Sequence, residues 1–227
     1  MNLFSSSELN TIKYNLEEVY QYYENKGIPF FIMIMPIKSN IYPEYLPEII
    51  QRKSSITKLE QLRRYLDKNS FVKIIDVSEE LIANKSNAEV YYQHDVHMNF
   101  QGGFIAYKKL ILEMQKKIPA LALVPDKNYK KELKHLHNAD LSRLLSLENI
   151  LLNDEWHVQK KSDFDFTIVD APTFESLSLV EPTIRTQIKN STLPKGVVYR
   201  DSFFNLMMPY FSENVSDCIY LWTRICL

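Results

Sequence analysis

Glycine and cysteine are scarce in this sequence, and their scarcity excludes two kinds of site. Only four of the 227 residues are glycine, and no GxGxxG or Walker pattern can be traced, so a glycine-rich phosphate loop and nucleotide binding have no support. The two cysteines, Cys218 and Cys226, are too few for a disulfide framework and lack the paired spacing of a zinc site. The redox state of both thiols stays open.

An excess of charge and a long apolar run are also lacking. The 27 basic and 28 acidic side chains give a formal net charge of −1, which provides no field to attract nucleic acid or an anionic membrane. The longest apolar stretch, residues 28–37, is too short to cross a bilayer and predicts a buried strand. No export signal is visible at the N-terminus, because no basic start leads into an apolar run.

Helical and strand patterns alternate along the chain, which predicts an α/β protein. Its length and its 45% hydrophobic content fit one large domain over residues 1–227. The alternation favours a three-layer α/β/α architecture with a mainly parallel sheet. The lysine-rich stretch 119–160 predicts a solvated helix or an insertion that crosses the surface. The predicted elements, in chain order, are a helix at 7–26, a strand at 28–37, a helix at 54–68, a strand at 70–78, a helix beginning near 99, and strands at 163–171 and 196–202.

The segment "HDVH" places two imidazoles and a carboxylate in the loop immediately before the helix that begins near 99. His94, Asp95 and His97 are open to three interpretations: metal ligands, the acid and base of a nucleophilic triad, or a polar loop. A hydrolytic zinc site needs three protein ligands and an open position. The remaining histidines lie in poorly patterned regions and supply no convincing second cluster: His135, His137 and His157. We therefore expect no metal and no cofactor.

Ser202 follows a predicted strand and stands at the turn into a predicted helix. As an N-cap its hydroxyl would satisfy a free backbone N–H, and as a nucleophile it would lie where helix N–H groups can stabilise an oxyanion. A serine nucleophile needs a base, and the base needs an orienting carboxylate. If both loops lie at the carboxyl edge of one parallel sheet, His97 and Asp95 can meet Ser202. The two segments together predict a triad of Asp95, His97 and Ser202.

Three segments also carry a resemblance to a known family. They are "DVHMNFQGGFIAY", "VVYRDSFFNLMMPYF" and the upstream "IPFFIMIMPIKSNIYPEYLP". Together they resemble the AlgX/AlgJ-like, alginate-acetylation branch of the SGNH hydrolase superfamily, in which the order Asp, His, Ser is the same. The resemblance spans roughly residues 28 to 222. It implies a flavodoxin-like α/β/α domain that acts as an O-acetyltransferase or acetylesterase on a cell-surface or exported polysaccharide through an acetyl-serine intermediate.

The resemblance also implies partners, a location and further site residues. The partners would be a polysaccharide acceptor and an acetyl donor handed over by a membrane-bound O-acyltransferase, and the location would be extracytoplasmic or periplasmic. Arg200 stands where the family pattern has a small residue before the Asp-Ser pair. The family pattern also continues beyond the end of this sequence, so we expect a trimmed or truncated chain. The residues implied in oxyanion or substrate binding are Arg200, Phe203, Asn99, Lys38 and Tyr42.

Two other classes of function remain as alternatives. One is a non-catalytic carbohydrate-binding protein of polysaccharide biosynthesis, in which aromatic rings would stack on sugar faces. The other is a metal-dependent hydrolase that uses His94, Asp95 and His97. The aromatic residues considered for stacking are Tyr42, Tyr91, Tyr92 and Trp156.

Overall fold

The structure is a computed structural model that describes residues 3–50, 54–136, 139–151, 153–173 and 179–222. Its backbone contacts group into two compact units, one up to Glu79 and one from Glu80 onward. Each unit is described by itself below. No helix within the described ranges is long and apolar enough to cross a membrane.

The N-terminal unit begins with a helix whose ends are specified locally. The Ser5 side chain accepts a hydrogen bond from the Glu8 N–H, and the Glu8 carboxylate accepts one from the Ser5 N–H. This capping box starts the helix, and Gly27 follows its end with φ +68°, a conformation that favours glycine. The elements of this unit are α1 (Ser6–Glu24), β1 (Ile32–Ile34), α2 (Lys38–Ile41), α3 (Lys58–Asn69) and β2 (Ile74–Asp76).

The core of the N-terminal unit forms between α1, α3 and the two short strands. β1 and β2 pair in parallel, with Ile32 opposite Ile74. Leu16 of α1 and Leu66 of α3 are buried in one apolar cluster with Val72 and Ile74. The helices and strands predicted here from apolar spacing are therefore present, although each strand is only three residues long.

The C-terminal unit carries the longest buried helix. Helix α5 begins at the cap residue Asn99, and most of its first twelve residues are buried. The elements of this unit are α4 (Ser78–Asn84), α5 (Phe100–Gln115), β3 (Tyr129–Leu136), α6 (Asp140–Leu144), β4 (Asn153–Lys160), β5 (Thr167–Val169), β6 (Ile184–Gln187), β7 (Lys195–Tyr199), α7 (Met208–Phe211) and β8 (Asp217–Leu221).

An aromatic cluster packs against one face of α5 and fixes that helix in the unit. The ring of Phe104 lies 4.8 Å from the Tyr129 ring and 5.1 Å from the Tyr210 ring, measured between centroids. The hydroxyl of Tyr210 donates to the Val158 carbonyl at 2.6 Å, and that of Tyr107 donates to Asn214 Oδ1 at 2.7 Å. The buried rings and the hydrogen-bonded hydroxyls of Tyr107 and Tyr210 give α5 a rigid setting, while the buried Tyr129 hydroxyl has no hydrogen-bond partner among the described residues.

The sheets of the described residues are small and mixed, so a mainly parallel three-layer sheet is not confirmed. β3 and β4 form a separate antiparallel pair. The larger sheet has the order β5-β6-β8-β7, in which only β7 and β8 run parallel. The prediction of a mainly parallel sheet rested on the alternation of helices and strands along the chain. It did not include β6 at 184–187, which pairs antiparallel with both of its neighbours.

The stretch 119–160 was predicted to be either a solvated helix or an insertion, and much of it forms strands instead of a helix. Residues 129–136 form β3, and their partner β4 closes the pair, with Tyr129 opposite Lys160. Lys130 and Lys131 of β3 are both exposed, so the charge content that suggested a solvated helix also fits an exposed strand. The alternative interpretation, an insertion, stays a prediction.

Candidate active site

The loop that carries "HDVH" is closed on itself by backbone hydrogen bonds. The Tyr92 N–H donates to the His97 carbonyl at 3.2 Å, and the Asn99 N–H donates to the Val90 carbonyl at 3.2 Å. Asn99 then caps α5, because its Oδ1 accepts from the Gly102 N–H at 2.9 Å while its Nδ2 donates to the Glu89 carbonyl at 2.7 Å. The loop is therefore pinned at the start of a buried helix.

Three of the predicted site residues meet through the imidazole of His97. Its Nδ1 lies 2.7 Å from Asp95 Oδ1, and its Nε2 lies 2.9 Å from Ser202 Oγ. A carboxylate can only accept, so Nδ1 carries the proton and Nε2 is left as the acceptor for the serine hydroxyl. The His97 N–H also donates to Asp95 Oδ1 at 2.9 Å. The ring is thus held in one tautomer and one orientation.

Ser202 is not the cap of the turn on which it lies. It begins a 3₁₀ helix, Ser202–Leu206, called the Ser202 helix below, and the cap is Asp201. The Asp201 carboxylate accepts from the Phe203 N–H at 2.9 Å. The interpretation of Ser202 as an N-cap is therefore wrong. Its hydroxyl instead lies at hydrogen-bonding distance from Nε2 of His97.

Asp95 is held in its charged form. Burial raises the pKa of Asp95, but hydrogen bonds from the Asp140 N–H, the His97 N–H and the His97 ring outweigh burial and bring that pKa below its ordinary value. Only 8% of the residue is exposed. A fixed negative charge therefore lies against Nδ1 at neutral pH, where it favours a proton on that nitrogen and stabilises an imidazolium when one forms.

Gly103 allows the Ser202 helix to approach α5. A Cβ added at Gly103 would lie 2.8 Å from Leu206 Cβ and 3.0 Å from the Leu206 carbonyl oxygen. Real Cβ atoms are almost never found so near another carbon, so the close contact requires glycine. Gly103 thus has a steric role in bringing the Ser202 helix close to α5.

Asp140 is a site residue that the sequence interpretation missed. Its N–H donates to Asp95 Oδ2 at 2.9 Å, and its own Oδ2 lies 3.5 Å from His97 Nδ1. It opens α6, in the lysine-rich stretch to which no function was assigned. An Asp at the first position of a short helix was the only local signal, and it is too common to identify a site.

Of the residues that the resemblance implies in oxyanion or substrate binding, the structure shows one beside His97, one as a helix cap and two in the N-terminal unit. The centroid of the Phe203 ring lies 5.3 Å from that of the His97 ring, so Phe203 lies beside the histidine. The Asn99 carboxamide has its hydrogen bonds with backbone groups, so the structure gives it a helix-capping role. Lys38 and Tyr42 belong to the N-terminal unit, where Lys38 begins α2 and Tyr42 stacks on Tyr45 at 5.8 Å.

Arg200 supports the turn that carries Ser202. Its guanidinium donates to Asn205 Oδ1 at 2.5 Å within the Ser202 helix and to Glu181 Oε2 at 3.4 Å. The side chain is fully buried, and its charge lies 5.0 Å from the centre of the Trp222 ring. An arginine in place of a small residue is thus accommodated by an ion pair and a cation–π contact.

The residues predicted as metal ligands in "HDVH" are not the ones whose ligand atoms lie close together. Within the described ranges, the group that brings its ligand atoms within 4.8 Å of one another consists of Asp95, His97 and Asp140, and His94 is not part of it. Both ring nitrogens of His97 are already engaged, by Asp95 and by Ser202. A metal would have to displace one of these hydrogen bonds.

Two of the four aromatic residues considered for sugar stacking are buried. Tyr91 is 1% and Tyr92 is 9% exposed, because both belong to the buried start of the histidine loop. A ring must expose a face to stack on a sugar, so these two are wrong as candidates. The side chain of Trp156 lies outside the described part of the structure, and the same is true of His135 and His137.

The geometry defines a class of protein: a mixed α/β protein with an aspartate, a histidine and a serine in one hydrogen-bonded chain. Residues 5–168 match the family described as SGNH hydrolase-like domain, acetyltransferase AlgX. This match covers more than half of the chain, and the chain belongs to that family. The matched range includes Asp95 and His97 and ends before Ser202, whose assignment rests on the geometry.

Solved structures with similar folds include one O-acetyltransferase domain among those described below. The structure of Bacillus cereus PatB1 with a sulfonyl adduct has a TM-score of 0.69 and 17% identity, over 96% of this chain and 80% of that one. A DHHW family protein from Eubacterium siraeum has a TM-score of 0.64 and 16% identity, over 97% and 77%. The O-acetyltransferase domain of Pseudomonas putida AlgJ has a TM-score of 0.56 and 16% identity, over 94% and 72%. No curated protein matches the chain.

Proposed function

We propose that this protein is an O-acetyltransferase, or an acetylesterase when water is the acceptor, that uses Ser202 as nucleophile, His97 as general base and Asp95 as the orienting carboxylate. The observation that carries the proposal is the chain of two short hydrogen bonds, 2.7 Å and 2.9 Å, through the two nitrogens of His97. Membership of the acetyltransferase AlgX family supports acetyl transfer as the reaction.

In the first half of the reaction the enzyme takes the acetyl group from its donor. The Oγ of Ser202 attacks the acetyl carbonyl while His97 Nε2 takes the hydroxyl proton. The tetrahedral intermediate collapses, the bond to the donor breaks, and His97 returns the proton to the leaving group. Asp95 stabilises the imidazolium in between, and the products are acetyl-Ser202 and the deacetylated donor.

In the second half a hydroxyl of the acceptor replaces the donor. His97 Nε2 removes the proton from this hydroxyl, whose oxygen attacks the acetyl-serine carbonyl, and Ser202 leaves with the proton. A sugar hydroxyl as acceptor gives an acetylated polysaccharide, and water gives acetate. We take the acceptor to be a cell-surface or exported polysaccharide and the location to be extracytoplasmic, as the family suggests. The acetyl donor would be handed over by a membrane-bound O-acyltransferase.

The test is turnover of p-nitrophenyl acetate by the whole chain and its variants. Ser202→Ala and His97→Ala should each lower the rate by about 10³-fold or more, because nucleophile and base act as a unit. Asp95→Asn should lower it by about 10²-fold or more through the wrong tautomer. His94→Ala is the matched control, because it removes the neighbouring imidazole that this mechanism does not use.

The same assay separates the two alternatives. A metal-dependent hydrolase would lose its activity on treatment with a chelator and would tolerate Ser202→Ala. A non-catalytic binding protein would show no turnover above the Ser202→Ala background. Full activity of the Ser202→Ala variant would overturn the proposal.

A further inference from the structure

We propose that Asp140 is a positioning residue of the site: its backbone N–H fixes Asp95, and its carboxylate adds a second negative charge beside Nδ1 of His97. The inference deepens the mechanism above and rests on that proposed function. It assigns a role to α6, a five-residue helix in a stretch of the sequence that carries no recognisable motif.

The backbone part of this role follows from how Asp95 is bound. Asp95 Oδ1 faces the N–H and the ring of His97, and Oδ2 accepts from the Asp140 N–H at 2.9 Å. The next N–H of α6, that of Leu141, donates to the His94 carbonyl at 3.0 Å. Two successive N–H groups of α6 therefore hold the histidine loop, and both oxygens of Asp95 are bound. A carboxylate bound at both oxygens cannot rotate away from the imidazole.

The side-chain part of the role follows from charge. Asp140 Oδ2 lies 3.5 Å from His97 Nδ1, while Asp140 Oδ1 accepts from Arg143 at 2.5 Å. Arg143 thus holds the carboxylate in one orientation and leaves its second oxygen toward the ring. When His97 takes the serine proton, the new positive charge meets two carboxylates, Asp95 at 2.7 Å and Asp140 at 3.5 Å.

Among the described residues, the carboxylates within 4 Å of the His97 ring come from two elements. Its own loop provides Asp95, and α6 provides Asp140 with Arg143 behind it. The Ser202 helix presents a hydroxyl and the Phe203 ring, which are neutral. Removing the charge of Asp140 therefore changes the electrostatic field at the ring without removing a hydrogen bond to the serine or to Asp95.

The experiment is Asp140→Asn in the full chain, because asparagine keeps the backbone N–H and the side-chain shape while removing the charge. We expect kcat for p-nitrophenyl acetate to fall several-fold with little change in KM. We also expect the acid limb of the pH–rate profile to move to lower pH, because a negative charge beside the ring is removed. The sign follows because the base nitrogen, with less negative charge nearby, stays unprotonated to lower pH.

Three further variants separate charge from packing. Asp140→Glu should restore most of the wild-type profile, because it restores the charge. Arg143→Gln, which removes a positive charge, should move the acid limb slightly to higher pH. Asp126→Asn, which removes a carboxylate paired with Lys108 at 3.1 Å, is the matched control and should leave the profile unchanged.

An NMR titration of the His97 ring provides a readout that does not need turnover. The pH at which the ring resonances change to those of the protonated form should fall in Asp140→Asn relative to wild type. If this pH falls while Ser202→Ala keeps full activity, the proposed function fails and the electrostatic role of Asp140 holds. If the wild type is active through Ser202 but Asp140→Asn leaves both this pH and the pH–rate profile at wild-type values, the role of Asp140 is overturned.

Discussion

Replacing Gly103 with alanine should damage catalysis more than folding, because the added methyl group would separate the two segments that form the site. The new Cβ would lie 2.8 Å from Leu206 Cβ, and ordinary contacts begin at 3.4 Å. The Ser202 helix would therefore have to move from α5 by about 0.6 Å, the distance missing from an ordinary contact. Leu206 ends that helix, so the displacement is transmitted to the serine.

The expected loss of stability is small because two effects oppose each other. Overpacking a buried contact costs about 1–3 kcal/mol, whereas alanine in place of glycine inside a helix stabilises by about 0.5–1 kcal/mol. The hydrogen bond between Ser202 Oγ and His97 Nε2, now 2.9 Å, would lengthen toward about 3.5 Å, where it is no longer a useful bond. Since a displacement of about 1 Å can cost 10²-fold in rate, we expect a loss of about 10- to 100-fold.

The assay is kcat/KM for p-nitrophenyl acetate together with thermal unfolding. Gly196→Ala is the matched control, because a Cβ there meets only Cys218 Sγ at 3.6 Å, an ordinary contact. We expect Gly196→Ala to keep its activity and Gly103→Ala to lose most of it while remaining folded. Wild-type activity in Gly103→Ala, or an equal loss in both variants, would refute the steric argument.

Three further substitutions test the turn, the sheet and the core. Asp201→Ala should lower the free energy of unfolding by about 1 kcal/mol, because the cap bond to the Phe203 N–H is lost, and urea unfolding measures this. Asp217→Asn tests an ion pair in which a hydrogen bond from Arg185 lowers the pKa of Asp217 to about 2. The free energy of unfolding of the wild type should exceed that of the variant by about 1 kcal/mol above pH 4, and the difference should vanish as the pH falls toward about 2. A difference that persists at low pH would contradict this. Leu66→Ala should cost about 2–5 kcal/mol in the N-terminal unit, since Leu66 is 1% exposed in its core, and a cost below 1 kcal/mol would contradict that packing.

Local features of the fold could be predicted from the sequence because their causes are local. The start of α1 follows from Ser5 and Glu8, which are three residues apart, and its end follows from Gly27. The segments 32–34 and 74–76 form strands because each continues a short apolar pattern, which is also a local feature. The loop position of Asp95 and His97 followed from the helix pattern after Asn99.

Features that depend on pairing between distant segments could not be predicted. The direction of β6 against β5 and β8 depends on contacts across the sheet, and nothing within residues 184–187 specifies an antiparallel partner. The approach of Ser202 to His97 across 105 positions was predicted only by combining the chemistry of a triad with a resemblance. Asp140 escaped prediction because one part of its proposed role comes from a backbone N–H, which every residue except proline possesses, and the other part depends on a distant segment bringing its carboxylate to His97.

The most direct test of the account is the site of acetylation after brief incubation with p-nitrophenyl acetate. Intact-mass and peptide-level mass spectrometry should find one acetyl group per chain on the Ser202 hydroxyl, and accumulation should be greater in the absence of an acceptor. Ser202→Ala should remain unmodified under the same conditions, while His94→Ala should be acetylated like the wild type. Turnover with no acetyl group on Ser202, or equal acetylation of the Ser202→Ala chain at another residue, would contradict the proposed nucleophile.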